Sequence, residues 1–165
     1  MRCAPAVLSL SALALLAACG SDKKEPTQRE QIGQSWKYEN GADGAKLAYI
    51  GSADSVATMQ APDTFSVLLI QPMKNGERNV TVKLVGAPFT CDLSDCAVNA
   101  VTDDGKAHRW KGRMAGTNDG IEILPSQNAY EAIAKAKSVK VELALGPKDE
   151  THAFQFNVAG LDPKI

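Results

Sequence analysis

Two histidines, a close pair of cysteines and a run of alternating cations are the residues of this 165-residue chain whose types could do chemistry. His108 and His152 are its only histidines, so a hydrolytic triad would have to use one of them. Neither accompanies a G-x-S-x-G elbow, and a phosphate loop and an H-E-x-x-H pair are absent from the sequence. His108 shares strand parity with Trp110, and His152 with Phe154 and Phe156, so both read as structural or surface histidines. Cys91 and Cys96 enclose four residues in "CDLSDC", not the two of a thioredoxin-like redox motif. With His108 and His152 they would make four zinc ligands of suitable type, but histidines so distant match no recognised spacing. Asp103 and Asp104 precede Gly105, where aspartate serves a turn. A glycosidase needs two carboxylates about 5 to 9.5 Å apart across a cleft, and nothing in the pattern favours that. No catalytic residue, metal or cofactor is expected.

The most specific surface feature is "RWKGR". Arg109, Lys111 and Arg113 recur at every second residue, so on a strand they project from one face as a basic stripe, with Trp110 turned the other way. Such a stripe suits an acidic protein, an anionic envelope polymer or lipid headgroups. Edge charges that discourage strand pairing are the plainer explanation.

The elements that would position these residues are mostly strands. From Trp36 onward the apolar pattern has period two, in "TFSVLLI", "NVTVKLV", "CAVNAVT", "KAHRWKGRM", "SVKVELAL" and "HAFQFNV", with a shorter strand from Ile121 to Leu124. Asn75-Gly76 marks one hairpin, Asp103-Asp104-Gly105-Lys106 a second, and Gly146-Pro147-Lys148-Asp149 a turn between the last two strands. "SQNAYEAIAKAK" breaks the rhythm. It predicts a short helix near residues 127–136, with Ser126 as N-cap and Tyr130, Ile133 and Ala134 at helical spacing. About eight strands and one helix predict an all-β fold, a β-sandwich or an open barrel, formed by a single domain over residues 35–165.

The first twenty residues supply an address. Met1-Arg2 leads into an apolar run from Ala4 to Ala18, shorter than the roughly 20 residues that span a bilayer. Leu16-Ala17-Ala18-Cys19, followed by Gly20, resembles the lipobox of bacterial lipoproteins. That resemblance implies a signal peptide over residues 1–18, cleavage before Cys19 and acylation of its sulfur. It further implies the outer membrane, facing the periplasm, because the residue directly after the cysteine is Gly20 and not an aspartate. Stable anchoring takes more than one acyl chain, which lipoproteins of that family carry. Cys3 leaves with the signal and Cys19 takes lipid, so Cys91 and Cys96 remain. In an oxidising periplasm such a pair is expected to be a disulfide. A turn through Asp92-Leu93-Ser94-Asp95 would bring the two together. Residues 19–34 then read as the lipidated cysteine and a flexible, solvated tether. Removing residues 1–18 takes Arg2 and no acid, leaving 17 basic and 19 acidic side chains. That balance argues against nucleic-acid binding.

A second resemblance covers residues 89–161 in order of features. Phe89, Cys91, Cys96-Ala97-Val98, Asp104-Gly105, the helix into "AKSVKVEL" and then "FQFNVAGL" are similar to a group of small bacterial envelope lipoproteins. The group includes accessory lipoproteins associated with type VI secretion, and the likeness implies an all-β envelope domain without established catalysis. The expectation is a lipid-anchored binding module, an adaptor or envelope assembly factor with a protein or envelope-polymer partner. An inhibitor or immunity protein against a toxin or hydrolase is the first alternative, and an envelope hydrolase the second.

Overall fold

A computed structural model describes residues 25–40, 44, 46–145 and 150–165. The expected signal segment, Cys19 and the turn expected at 146–149 lie outside the described residues. The elements are α1 (Gln28–Gly33), β1 (Lys37–Asn40), β2 (Lys46–Gly51), β3 (Phe65–Pro72), β4 (Arg78–Val85), β5 (Cys96–Thr102), β6 (Ala107–Met114), β7 (Ile121–Leu124), α2 (Ser126–Lys135), β8 (Val139–Ala144) and β9 (Thr151–Phe156).

Among the described residues, nine antiparallel strands form one sheet in the order β1-β2-β3-β4-β7-β6-β5-β8-β9, curled into a half-barrel. The all-β expectation is met in its open-barrel form. Both hairpins form where the turn residues placed them. Between β3 and β4, Gly76 has φ +85° and Met73 N–H donates to Glu77 O. Between β5 and β6, Gly105 has φ +80° and Thr102 N–H donates to Lys106 O. Each turn needs a left-handed residue, which glycine supplies without steric cost.

Alternation then decides the core. Leu68 and Ile70 of β3, Val80 and Val82 of β4, Val98 and Ala100 of β5, Val139 and Val141 of β8, and Phe154 and Phe156 of β9 point inward and are fully or almost fully buried. The buried face of β3 is thus the one carrying Leu68 and Ile70; its other parity, Val67 and Leu69, is half-buried. α2 packs its Ala129 and Ile133 into this core against β4 and β7.

Two local expectations are corrected. The segment expected to be a flexible tether, residues 19–34, is helical over Gln28–Gly33. Thr27 and Glu30 form a reciprocal capping box, and Gly33 is buried so tightly that a Cβ there would lie 3.0 Å from Ser52 O. So short a helix is marginal by itself, and packing on β2 holds it. Ser126 is the first residue of α2, not its N-cap; Pro125 takes the cap position, and the Ser126 hydroxyl donates to Ile123 O instead. The buried α2 pair is Ala129 and Ile133, four apart, while Ala134 is exposed.

Contacts between the two ends of the fold brace the half-barrel. Trp36 Nε1–H donates to Val158 O at 2.8 Å, and Asp162 N–H donates to the Tyr38 hydroxyl at 2.9 Å. Ala53 N–H donates to Gln155 O at 2.7 Å, and Gln155 N–H to Asp54 Oδ1 at 2.9 Å, which covers the free edge of β9.

Candidate functional site

β5 and β6 carry most of the residues singled out by type. Cys91 and Cys96 are joined in a disulfide with Cα atoms 5.4 Å apart. Asp92 makes the turn between them. Its Oδ1 accepts from Ser94 N–H at 2.9 Å and from the Ser94 hydroxyl at 2.7 Å, and those bonds hold its carboxyl below the usual range. The bridge thereby anchors the start of β5. Leu93 O also accepts from Met114 N–H, tying the loop to the end of β6.

β6 displays the stripe. Arg109, Lys111 and Arg113 are exposed on one face, while Trp110 and Gly112 between them are buried. Charge on that face is largely answered from within the fold. Lys111 Nζ lies 2.8 Å from Asp95 Oδ1, supplied by the disulfide loop. Arg113 meets Glu122, directly opposite on β7, through Nε and a terminal nitrogen, each at 2.9 Å. Arg109 stands opposite Asn99, whose amide is turned to Glu142 at 3.4 Å. Arg109 has no acid within 4 Å among the described residues. The stripe is therefore two ion pairs and one uncommitted guanidinium.

On the inner side of the same hairpin a cleft of about 320 Å³ opens toward α2, lined by Thr102, Asp104, Lys106, His108, Asn128 and Glu131 among others. His108 is half-buried and stacks on Trp110, ring centroids 5.1 Å apart and planes inclined by 25°. Its Nε2 lies 3.4 Å from Thr102 Oγ1, and that hydroxyl donates to Asp104 Oδ1 at 2.6 Å. Asp104 is ion-paired with Lys106 at 2.6 Å, and Lys106 with Thr102 holds its carboxyl far below the usual range. The Thr102 proton is thus directed at a carboxylate that belongs to the turn, not at the histidine.

His152 lies elsewhere. It borders a separate cavity with Thr58, Met59, Gln60, Thr90 and Glu150. The four residues weighed as zinc ligands are not assembled, since the two sulfurs are joined to each other. Among the described residues, no group of three or more His, Cys, Asp or Glu side chains is placed to hold a metal. The cleft residues Asn128, Glu131 and Lys135 were not anticipated from sequence. Their i, i+3, i+7 spacing on a predicted helix was the available signal for one polar face.

No protein-family model and no curated protein matches the chain. Among solved structures, invasion associated protein B from Bartonella henselae is similar at 16% identity, over 76% of this chain and 84% of that chain, with a TM-score of 0.48. A likeness at that level carries no argument about function.

Proposed function

We propose that the chain is a lipoprotein held in the outer membrane through Cys19, facing the periplasm, whose β domain is a non-enzymatic binding module. It would serve another macromolecule of the envelope as an adaptor or assembly factor. The anchor rests on Leu16-Ala17-Ala18-Cys19 after a short apolar run. Among the described residues no helix is long and apolar enough to cross a membrane, and the Cys91–Cys96 disulfide suits an oxidising compartment. The observation that carries the binding reading is Arg109. It is exposed on β6 while the neighbouring cations already hold acids, so its charge is available to an outside carboxylate or phosphate.

Three measurements test this reading. Cys19→Ser should shift the protein from the membrane fraction to the soluble fraction, and retention in the membrane would overturn the anchor. Affinity capture of the intact lipoprotein from its native envelope should return a specific partner that Arg109→Glu loses without a change in melting temperature. Cleavage of peptidoglycan by the purified protein, abolished by His108→Ala or His152→Ala, would overturn the binding reading in favour of a hydrolase.

A further inference from the structure

The sheet contains a notch. β4 and β6 are eight residues long, but β7 between them has only four. β7 pairs with Lys111–Met114 of β6 and with Thr81 and Val82 of β4, then ends at Leu124, where the chain turns through Pro125 into α2. Both neighbours therefore lose a partner strand part-way along their length.

The two sides of the notch are treated differently. On the β4 side, the first turn of α2 supplies acceptors in place of a strand. Arg78 N–H donates to Gln127 Oε1 at 3.1 Å, and Val80 N–H to Ser126 Oγ at 3.3 Å. On the β6 side nothing comparable is present among the described residues. Thr102 N–H bonds Lys106 O, and Met114 N–H bonds Leu93 O, so even-numbered β6 residues direct their main-chain groups toward β5. Odd-numbered residues must direct theirs toward β7. Arg113 and Lys111 find Glu122 and Leu124 there, whereas Arg109 and Ala107 lie beyond the last β7 residue, and both are exposed. Two N–H and two C=O groups thus line an open strand edge.

The side-chain pattern states what should fill it. The Arg113 guanidinium is met by Glu122 on the residue opposite, which is hydrogen-bonded strand to strand. Arg109 is the equivalent residue four positions earlier and has no such acid. We propose that β6 accepts an extended segment of a partner protein at Ala107–Arg109, antiparallel to β6 and in line with β7, with an acidic side chain opposite Arg109. This proposal deepens the binding-module reading and rests on it. Main-chain pairing would supply affinity, and the carboxylate would supply register and selectivity, as in strand addition generally. The inward positions of the guest strand face His108, Trp110 and the cleft in front of α2, so small side chains suit them.

The test uses the full chain and a blocked pentapeptide with Glu at its second position, Ala on either side of it and Thr at the fourth. Titrated to millimolar concentration, the peptide should slow hydrogen exchange at the amides of Ala107 and Arg109 at least fivefold, leaving Arg78 and Val80 unchanged. N-methylation of the Glu amide should abolish that protection. Replacing the peptide Glu by Lys should weaken binding at least fivefold, and Arg109→Glu should reverse that preference. No protection at Ala107 and Arg109, or equal binding of the N-methylated peptide, would overturn strand addition. If the peptide fails while envelope capture still depends on Arg109, the binding module stands and the edge does not; if capture also fails, both readings fall.

Discussion

Asp103 shows how an exposed turn carboxylate can join distant parts of the chain. Its Oδ1 accepts from Lys137 N–H at 2.8 Å and from Ser138 N–H at 3.4 Å, linking the β5–β6 turn to the segment that enters β8. The Lys137 bond is the main reason its carboxyl titrates below the usual range. A carboxyl depressed by folding adds stability above its unfolded value, near 3.9, and that stability is lost as pH falls through the lower folded value. Asp103→Asn keeps an acceptor oxygen but removes the charge. Its urea midpoint should lie below that of the parent at pH 7, and the gap should close below about pH 4. A gap unchanged down to pH 2 would show that the charge contributes nothing. The same logic of local commitment separates the three stripe cations, because Lys111 and Arg113 are spoken for and Arg109 is not.

At the scale of elements, the short strand β7 is the structural compromise of the sheet. Only two residue pairs join it to β4, and the approach there is close: a Cβ on Gly120 would lie 2.7 Å from Val82 O, a main-chain atom that cannot swing aside. Gly120→Ala should therefore cost about 1–3 kcal/mol in urea unfolding, the usual range for overpacking. A cost near zero would mean that the β4–β7 seam can widen freely. α2 compensates for the brevity of β7 on one side only. Its Ser126 and Gln127 bond the β4 main chain, and its Ala129 and Ile133 fill the core beneath. The opposite side of the same gap is the open β6 edge.

Across the whole molecule, an open curled sheet has two edges to protect, and contacts between its ends do much of this. The loop at Ala53–Asp54 bonds the outer edge of β9. Trp36, only 6% exposed, joins the start of the domain to Val158 near its other end. Trp36→Phe would keep most of the packing and leave Val158 O without its partner. The expected loss is about 1–3 kcal/mol, the penalty for an unsatisfied buried polar group, read from the denaturant midpoint. No loss would show that water replaces the indole. The disulfide works at shorter range: closing so small a loop stabilises the fold by about 2 kcal/mol in the chain-entropy view.

Much of this organisation was legible in the residues themselves. Period-two alternation placed seven strands, and Asn75-Gly76 and Asp103-Asp104-Gly105-Lys106 placed two hairpins, because turn chemistry and strand parity are local properties. The outward projection of Arg109, Lys111 and Arg113 followed from parity alone. The helix at Gln28–Gly33 was also present locally, in the Thr27–Glu30 capping pair, but polar composition obscured it. Only the tertiary structure decided which stripe cations remain available and which strand edge remains open. Those outcomes depend on Asp95 reaching Lys111, on Glu122 landing opposite Arg113, and on Ser126 and Gln127 meeting β4 instead of β6. Each is a pairing set by how strands are ordered in the sheet, and strand order is a long-range choice that local pattern does not encode.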